Sequence, residues 1–101
     1  MQRLLDENPV VNGVFAYNDV MAIGAMSAIQ DSGRTVPDDV AVVGCDDIEM
    51  SARVSPGLTT VRLDREQLGS EAVSRLVELR ESGNRPETVT VPVSLVERDS
   101  T

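Results

Sequence analysis

Apolar residues in the first third of the chain change from strand-like to helical spacing. The run VVNGVFAY predicts a buried strand over residues 12–17. Asn18 then reads as the N-cap of a helix, and Gly33 reads as its left-handed stop. Small and apolar residues recur along this stretch at positions i, i+3, i+4 and i+7. These predicted core positions are Ala22, Ala25, Met26 and Ile29.

The middle of the chain predicts a parallel sheet. Residues 40–44 (VAVVG) are apolar on both faces, which is typical of a central strand covered by helices on each side. Together with the preceding strand and helix they form a βαβ unit, and such units have parallel strands. A further short strand is predicted over residues 58–62.

The last third predicts one helix and one edge strand. Asp64 is the predicted cap, and Gly83 ends the helix. Residues 89–95 alternate apolar and polar side chains, and Pro92 requires an edge position or a bulge. The apolar stripe of the helix consists of Leu68, Ala72, Leu76 and Leu79.

Composition places the chain among ordinary globular domains and excludes several functions. A length of 101 residues fits one small domain, and a net charge of -8 disfavours nucleic-acid contact by the chain itself. The absence of histidine rules out a Ser/His/Asp triad, and the single Cys45 rules out an internal disulfide. We see neither a signal peptide nor a membrane segment and expect a cytoplasmic protein without a cofactor.

Polar clusters follow two of the predicted strands. Asn18-Asp19 follows the first strand and Asp46-Asp47 the second, so both lie at the carboxyl edge of the sheet, where open α/β sheets bind ligands. An amide and a carboxylate suit the hydroxyl groups of a sugar or a nucleoside. Asn18 and Asp46 are therefore candidate contacts to one small molecule.

Two other interpretations of the same residues remain open at this point. Asn18 could serve only as a helix cap while Asp46-Asp47 only opens a turn. Alternatively, Asp19, Asp46 and Asp47 could bind magnesium in an enzyme. No Gly-rich phosphate loop accompanies the acidic residues, which disfavours the enzyme interpretation.

Three further residues near the clusters have expected roles. Neighbouring negative charge should disfavour the thiolate of Cys45, so we expect a packing residue without a catalytic role. Phe15 is expected in the core. Tyr17 is a further candidate for stacking on a sugar ring.

Three ordered segments resemble the lac-repressor/gal-repressor (LacI/GalR) family of transcription regulators. VFAYNDVMAIGA at residues 14–25 is similar to one family segment, and VPDDVAVVGCDDI at residues 36–48 to another. SPGLTTV at residues 55–61 resembles a third, and the closing RDST at residues 98–101 extends the likeness. Cys45 stands where the family usually has an aromatic residue.

The resemblance implies a fold, a binding site and an interface. The implied fold is an α/β parallel-sheet sandwich of the periplasmic binding protein-like I type, of which this chain is expected to be the C-terminal portion. Residues 1–57 would belong mainly to the C-terminal subdomain, and residues 58–101 would form a crossover strand, a helix and a final strand. Asn18 and Asp46 would line the effector pocket. The dimer-interface candidates are Ile23, Ser27 and Val54.

The function implied is regulation of transcription by a small effector. The chain would bind a carbohydrate or nucleoside-like molecule and dimerise, and DNA would be bound only by a headpiece that these residues do not contain. The implied protein is not an enzyme. The alternatives are the solute-binding component of a sugar transporter and a dimerising module that binds no ligand.

Overall fold

The computed structural model describes every residue from Met1 to Thr101, and helices and strands alternate along it. This alternation confirms the α/β class. The elements are α1 (Gln2–Glu7), β1 (Gly13–Phe15), α2 (Asp19–Asp31), β2 (Ala41–Cys45), a 3-10 helix (Glu49–Ala52), β3 (Thr59–Leu63), α3 (Arg65–Ser82) and β4 (Val93–Val96).

The four strands form one sheet in the order β1-β2-β3-β4. β1 and β2 pair in parallel with Val14 opposite Val42, and β2 and β3 pair in parallel with Gly44 opposite Thr60. The predicted parallel sheet is therefore confirmed. Because these strands run in the same direction, the segments that leave their carboxyl ends emerge at one edge.

Helix α2 supplies much of the hydrophobic core through the predicted face. Ala22 and Ile29 are fully buried, and they cluster with Val40, Val42 and Leu58 from the sheet region. The helix begins after Asn18 and ends at Ser32 and Gly33, as its sequence signals predict. Helical spacing thus identified both the element and its buried side.

Several predicted strand boundaries and one core residue were wrong. β1 is shorter than the predicted residues 12–17, and β4 covers only the end of the predicted residues 89–95. Pro92 lies immediately before β4, where its missing N–H is consistent with the late start of pairing. Phe15 is 68% exposed rather than buried, because β1 is an edge strand and its end faces an open apolar groove.

The chain divides into two compact units. The first unit comprises Met1–Arg62 with Ser94–Thr101, and the second comprises Leu63–Val93. In the second unit α3 is capped by Asp64, whose Oδ1 accepts a hydrogen bond from Gln67 N, and ends at Gly83 with φ 72°. No helix in the chain combines the length and the apolar character that crossing a membrane would require.

Candidate functional site

Two polar residues lie just beyond the carboxyl ends of neighbouring parallel strands. Asn18 follows β1 at the start of α2, and Asp46 directly follows β2. Both side chains are half-buried. This arrangement matches the position at which open α/β sheets bind small molecules.

Asn18 caps α2 and still has hydrogen-bonding capacity. Its Oδ1 accepts a hydrogen bond from Met21 N at 2.9 Å, and its backbone is extended, as an N-cap requires. Its Nδ2 group donates to no other group in the chain, so two N–H donors remain free. The cap and the ligand contact are therefore compatible roles, because the oxygen caps the helix and the nitrogen has no partner in the chain.

The two consecutive carboxylates Asp46 and Asp47 differ in their partners. Asp47 is 11% exposed and accepts hydrogen bonds from Arg62 Nε at 2.6 Å and from Arg98 Nη2 at 2.7 Å. The Arg98 hydrogen bond, aided by Arg62, holds the pKa of Asp47 below its ordinary value although burial opposes this shift. Asp46 makes no side-chain hydrogen bond or ion pair. Of these two carboxylates, only that of Asp46 is therefore available to a ligand.

Asp19 is buried and serves the structure. Its Oδ2 accepts hydrogen bonds from Ile48 N at 2.9 Å and from Ser51 Oγ at 2.6 Å, while its Oδ1 accepts one from Thr60 Oγ1. The carboxylate joins the start of α2 to the segment after β2 and to β3. With both oxygens engaged and no exposed surface, Asp19 does not face an ion in solvent, which argues against the magnesium interpretation.

Gly44 leaves the space that the Asp19 carboxylate occupies. A Cβ at this position of β2 would collide with Asp19 Oδ1 and would lie 3.0 Å from Leu58 Cδ2. The glycine is required here by a close approach of buried groups rather than by its backbone angles. It permits the carboxylate to reach across the end of the sheet.

Cys45 lies at the end of β2 as a half-buried free thiol. Burial raises its pKa, and the negative charges of Asp46 and Asp19 raise it further. The expected suppression of the thiolate is confirmed. A thiol in this protonated state is a poor nucleophile, which agrees with a packing role.

Tyr17 is an exposed aromatic residue just beyond the end of β1. It is 82% exposed and lines an apolar groove of about 400 Å³ between α1, the end of β1 and one flank of α2. Asn18 and Asp46 are not among the residues that line this groove. The groove residues are Met1, Leu4, Val14, Phe15, Ala16, Tyr17, Met21, Gly24, Ala25 and Ala28.

The opposite flank of α2 carries two of the interface candidates, Ile23 and Ser27, whereas Val54 lies just after the 3-10 helix. Ser27 is exposed, whereas Ile23 and Val54 are partly buried and pack against the core cluster. Val20, one turn before Ile23 on this flank, is 68% exposed. The flank therefore combines apolar surface with small side chains that permit close approach.

Sequence reasoning missed the residues that support the turn after β2. These residues are Arg62, Arg98 and Thr60, which are distant from that turn along the chain, and Ser51, which is near the turn but distant from its partner Asp19; none belongs to a motif that indicates its partner. The only available signal was the presence of two acidic residues without a nearby basic residue. Such a signal does not identify which arginine approaches.

Known proteins similar to this chain share its whole length. The family description "Periplasmic binding protein-like domain" matches residues 1–101. The HTH-type transcriptional repressor PurR of Histophilus somni (strain 129Pt) is 40% identical over 101 residues, which are 99% of this chain and 30% of that protein. The chain thus spans less than a third of this relative.

Two solved structures are similar in fold as well as in sequence. A LacI family transcriptional regulator from Arthrobacter sp. FB24, in complex with lactose, matches with 39% identity and a TM-score of 0.82, covering 99% of this chain and 38% of that one. The Lac repressor dimer bound to operator and the anti-inducer ONPF matches with 41% identity and a TM-score of 0.89, covering 99% of this chain and 35% of that one.

Proposed function

Because the chain belongs to the LacI family, in its periplasmic-binding-protein-like domain, we propose that it forms one wall of an effector site in a transcription regulator. The effector is a polyhydroxylated small molecule, such as a carbohydrate or a nucleoside. One observation carries this proposal. The free Nδ2 donors of Asn18 and the unpaired carboxylate of Asp46 lie at the ends of adjacent parallel strands.

The two groups offer complementary chemistry to a sugar. The Nδ2 group of Asn18 donates to a hydroxyl oxygen, and the carboxylate of Asp46 accepts from one or two hydroxyl hydrogens. Hydrogen bonds to a charged acceptor are stronger than those between neutral groups. Asp46 should therefore contribute more affinity than Asn18, and Tyr17, which lines an apolar groove, remains a candidate for stacking on a sugar ring.

The proposed location and DNA binding of the intact protein are based on its similarity to transcription regulators. The intact protein is proposed to act in the cytoplasm and to bind DNA through a segment outside these residues, and it is not proposed to be an enzyme. The net charge of -8 agrees with the absence of direct DNA contact by this part. Residues 58–101 are proposed to carry the crossover strand, the helix and the final strand of the effector domain.

Isothermal titration calorimetry with lactose, cellobiose and a set of nucleosides tests the effector assignment. Asp46→Asn should weaken binding about 10- to 100-fold, the loss expected when a hydrogen bond to a charged group disappears. Asp39→Asn is the matched control, because Asp39 is an exposed loop carboxylate that bonds only Thr35. Equal affinity in both variants and the unsubstituted protein would contradict the role of Asp46.

A second proposed property is dimerisation through the α2 flank that contains Ile23 and Ser27, together with Val54 after the 3-10 helix. Its support is that the exposed Val20 and the small Ser27 share one flank of a helix whose buried face contributes to the core. Ser27→Arg should lower the dimer fraction in sedimentation velocity, while Ser70→Arg on α3 should not. Retention of the full dimer by Ser27→Arg would exclude this flank, and a protein that dimerises without binding any effector would favour the dimerising module.

A further inference from the structure

The turn that presents Asp46 has an unusual backbone. Asp46 has φ 118° and Asp47 has φ 50°, both in the region that favours glycine. Residues other than glycine persist in such conformations only where surrounding contacts hold them. The conformation of Asp46 therefore depends on its neighbours, and those neighbours can be identified.

Backbone hydrogen bonds fix the turn on both sides of Asp47. The amide of Asp46 donates to Val61 O at 2.8 Å, and the amide of Ile48 donates to Asp19 Oδ2 at 2.9 Å. Neither bond involves the side chain of Asp46. Its carboxylate is left free, while its amide ties the turn to β3.

The amide of Asp47 donates a long hydrogen bond to Thr60 Oγ1 at 3.4 Å, and its side chain supplies a further restraint. It binds two guanidinium groups, Arg62 through Oδ2 and Arg98 through Oδ1. Arg98 is itself held, because its Nη1 donates to Leu58 O at 2.7 Å and its amide donates to Thr59 Oγ1 at 2.9 Å. Asp47 is thus anchored to β3 and to the segment that follows β4.

The two arginines have a notable place along the chain. Arg62 is the last residue of the first unit before Leu63–Val93, and Arg98 lies within Ser94–Thr101, the segment that follows that stretch. The chain leaves the first unit directly after Arg62 and re-enters it at Ser94, four residues before Arg98. Both connections are therefore within a few residues of a direct partner of Asp47.

We propose that Asp47 is a positioning residue that holds Asp46 in its ligand-facing conformation and links it, through Arg62 and Arg98, to both chain connections between the units. The ligand contact in this inference rests on the proposed function. A ligand bound to Asp46 would stabilise the turn and hence its two ion pairs. By thermodynamic linkage, any change in the connections that breaks these ion pairs would weaken ligand binding.

Hydrogen exchange followed by mass spectrometry tests the positioning role without any ligand. Asp47→Asn should speed exchange of the amides of residues 46–48 about tenfold, together with those of residues 58–63 and 94–99, which corresponds to a loss of about 1.4 kcal/mol. Exchange in β1 and α2 should stay unchanged. Asp39→Asn removes a hydrogen-bonded carboxylate elsewhere in the first unit and should change none of these amides.

Two results would overturn the inference. Unchanged exchange at residues 46–48 in Asp47→Asn would show that the ion pairs do not hold the turn. Exchange that rises equally throughout the first unit would show general destabilisation instead of local positioning. If Asp47→Asn does not fold, Arg98→Lys is the replacement variant, because it keeps the charge but loses the second donor of the guanidinium. It should show a smaller rise in exchange rate at the same amides.

Binding of lactose and cellobiose separates this inference from the proposed function. If the unsubstituted protein binds one of them, Asp47→Asn should raise its Kd about tenfold, and an unchanged Kd would contradict positioning. If the protein binds neither sugar and no nucleoside, the effector assignment fails. The exchange experiment still decides whether Asp47 controls the conformation of Asp46.

Discussion

The two units of this protein carry equally clear local sequence signals but differ completely in burial. Every buried side chain lies in the first unit, including the core of Ile29, Val42 and Leu58. The second unit contains the 18-residue helix α3, none of whose residues is buried. Its apolar stripe includes Leu76, which is 66% exposed.

The difference separates two kinds of stabilisation. Helix caps satisfy backbone groups within a few residues, so Asn18 and Asp64 act alike in both units. Burial requires a second apolar surface in the right place. In the first unit the sheet supplies that surface to α2, whereas the leucines of the α3 stripe remain between 42% and 66% exposed.

The largest contrast should come from adding one methyl group to a glycine of each unit. Gly44→Ala forces a Cβ into the Asp19 carboxylate, and overpacking with loss of buried hydrogen bonds should cost about 4 kcal/mol in the free energy of unfolding. Gly69→Ala meets no atom within 4 Å on α3 and should stabilise the helix by up to about 1 kcal/mol. Urea denaturation measures both, and equal effects would remove the contrast.

Truncating one apolar side chain in each unit tests burial directly. Ile29→Ala leaves a cavity in the core and should cost about 3 kcal/mol. Leu76→Ala removes an exposed side chain and should change the free energy of unfolding by less than about 0.5 kcal/mol. A comparable loss in both variants would show that α3 is packed in solution, and the distinction between the units would not hold.

A cap substitution should affect the second unit alone. Asp64→Ala removes the acceptor for Gln67 N and should cost about 1 kcal/mol of helix stability, whereas Asp64→Asn retains a capping oxygen. Hydrogen exchange should increase across α3 only in the alanine variant, with β2 unchanged. Equal protection of α3 in both variants would mean that the cap contributes nothing measurable.

The smallest expected effect is the change in the stability of the first unit as the pH falls. Because the folded pKa of Asp47 lies below its unfolded value, its ion pairs stabilise the protein above about pH 4 and are lost as the pH falls through the folded value. The difference in unfolding free energy between the unsubstituted protein and Asp47→Asn should therefore shrink from pH 6 to pH 3. A difference that stays constant with pH would indicate that charge is not its cause.

Local signals in the sequence were sufficient for the order of the four strands and two long helices, the parallel sheet, and the start and end of both long helices. They depend on interactions within four residues or on spacing along one element. They also placed Asn18 and Asp46 after neighbouring strands, because parallel pairing brings successive carboxyl ends to one edge. The exposed Phe15 and the late start of β4 escaped prediction, since apolar alternation does not say whether another element covers a strand.

The site divides in the same way. Residue type and position determined that an amide and two consecutive carboxylates lie at the edge of the sheet. Only the tertiary structure decided that the carboxylate of Asp47 forms ion pairs with Arg62 and Arg98 while that of Asp46 has no partner. The physical reason is that an ion pair depends on distance in space, and residues separated by 15 and 51 positions along the chain become neighbours only when the sheet has formed.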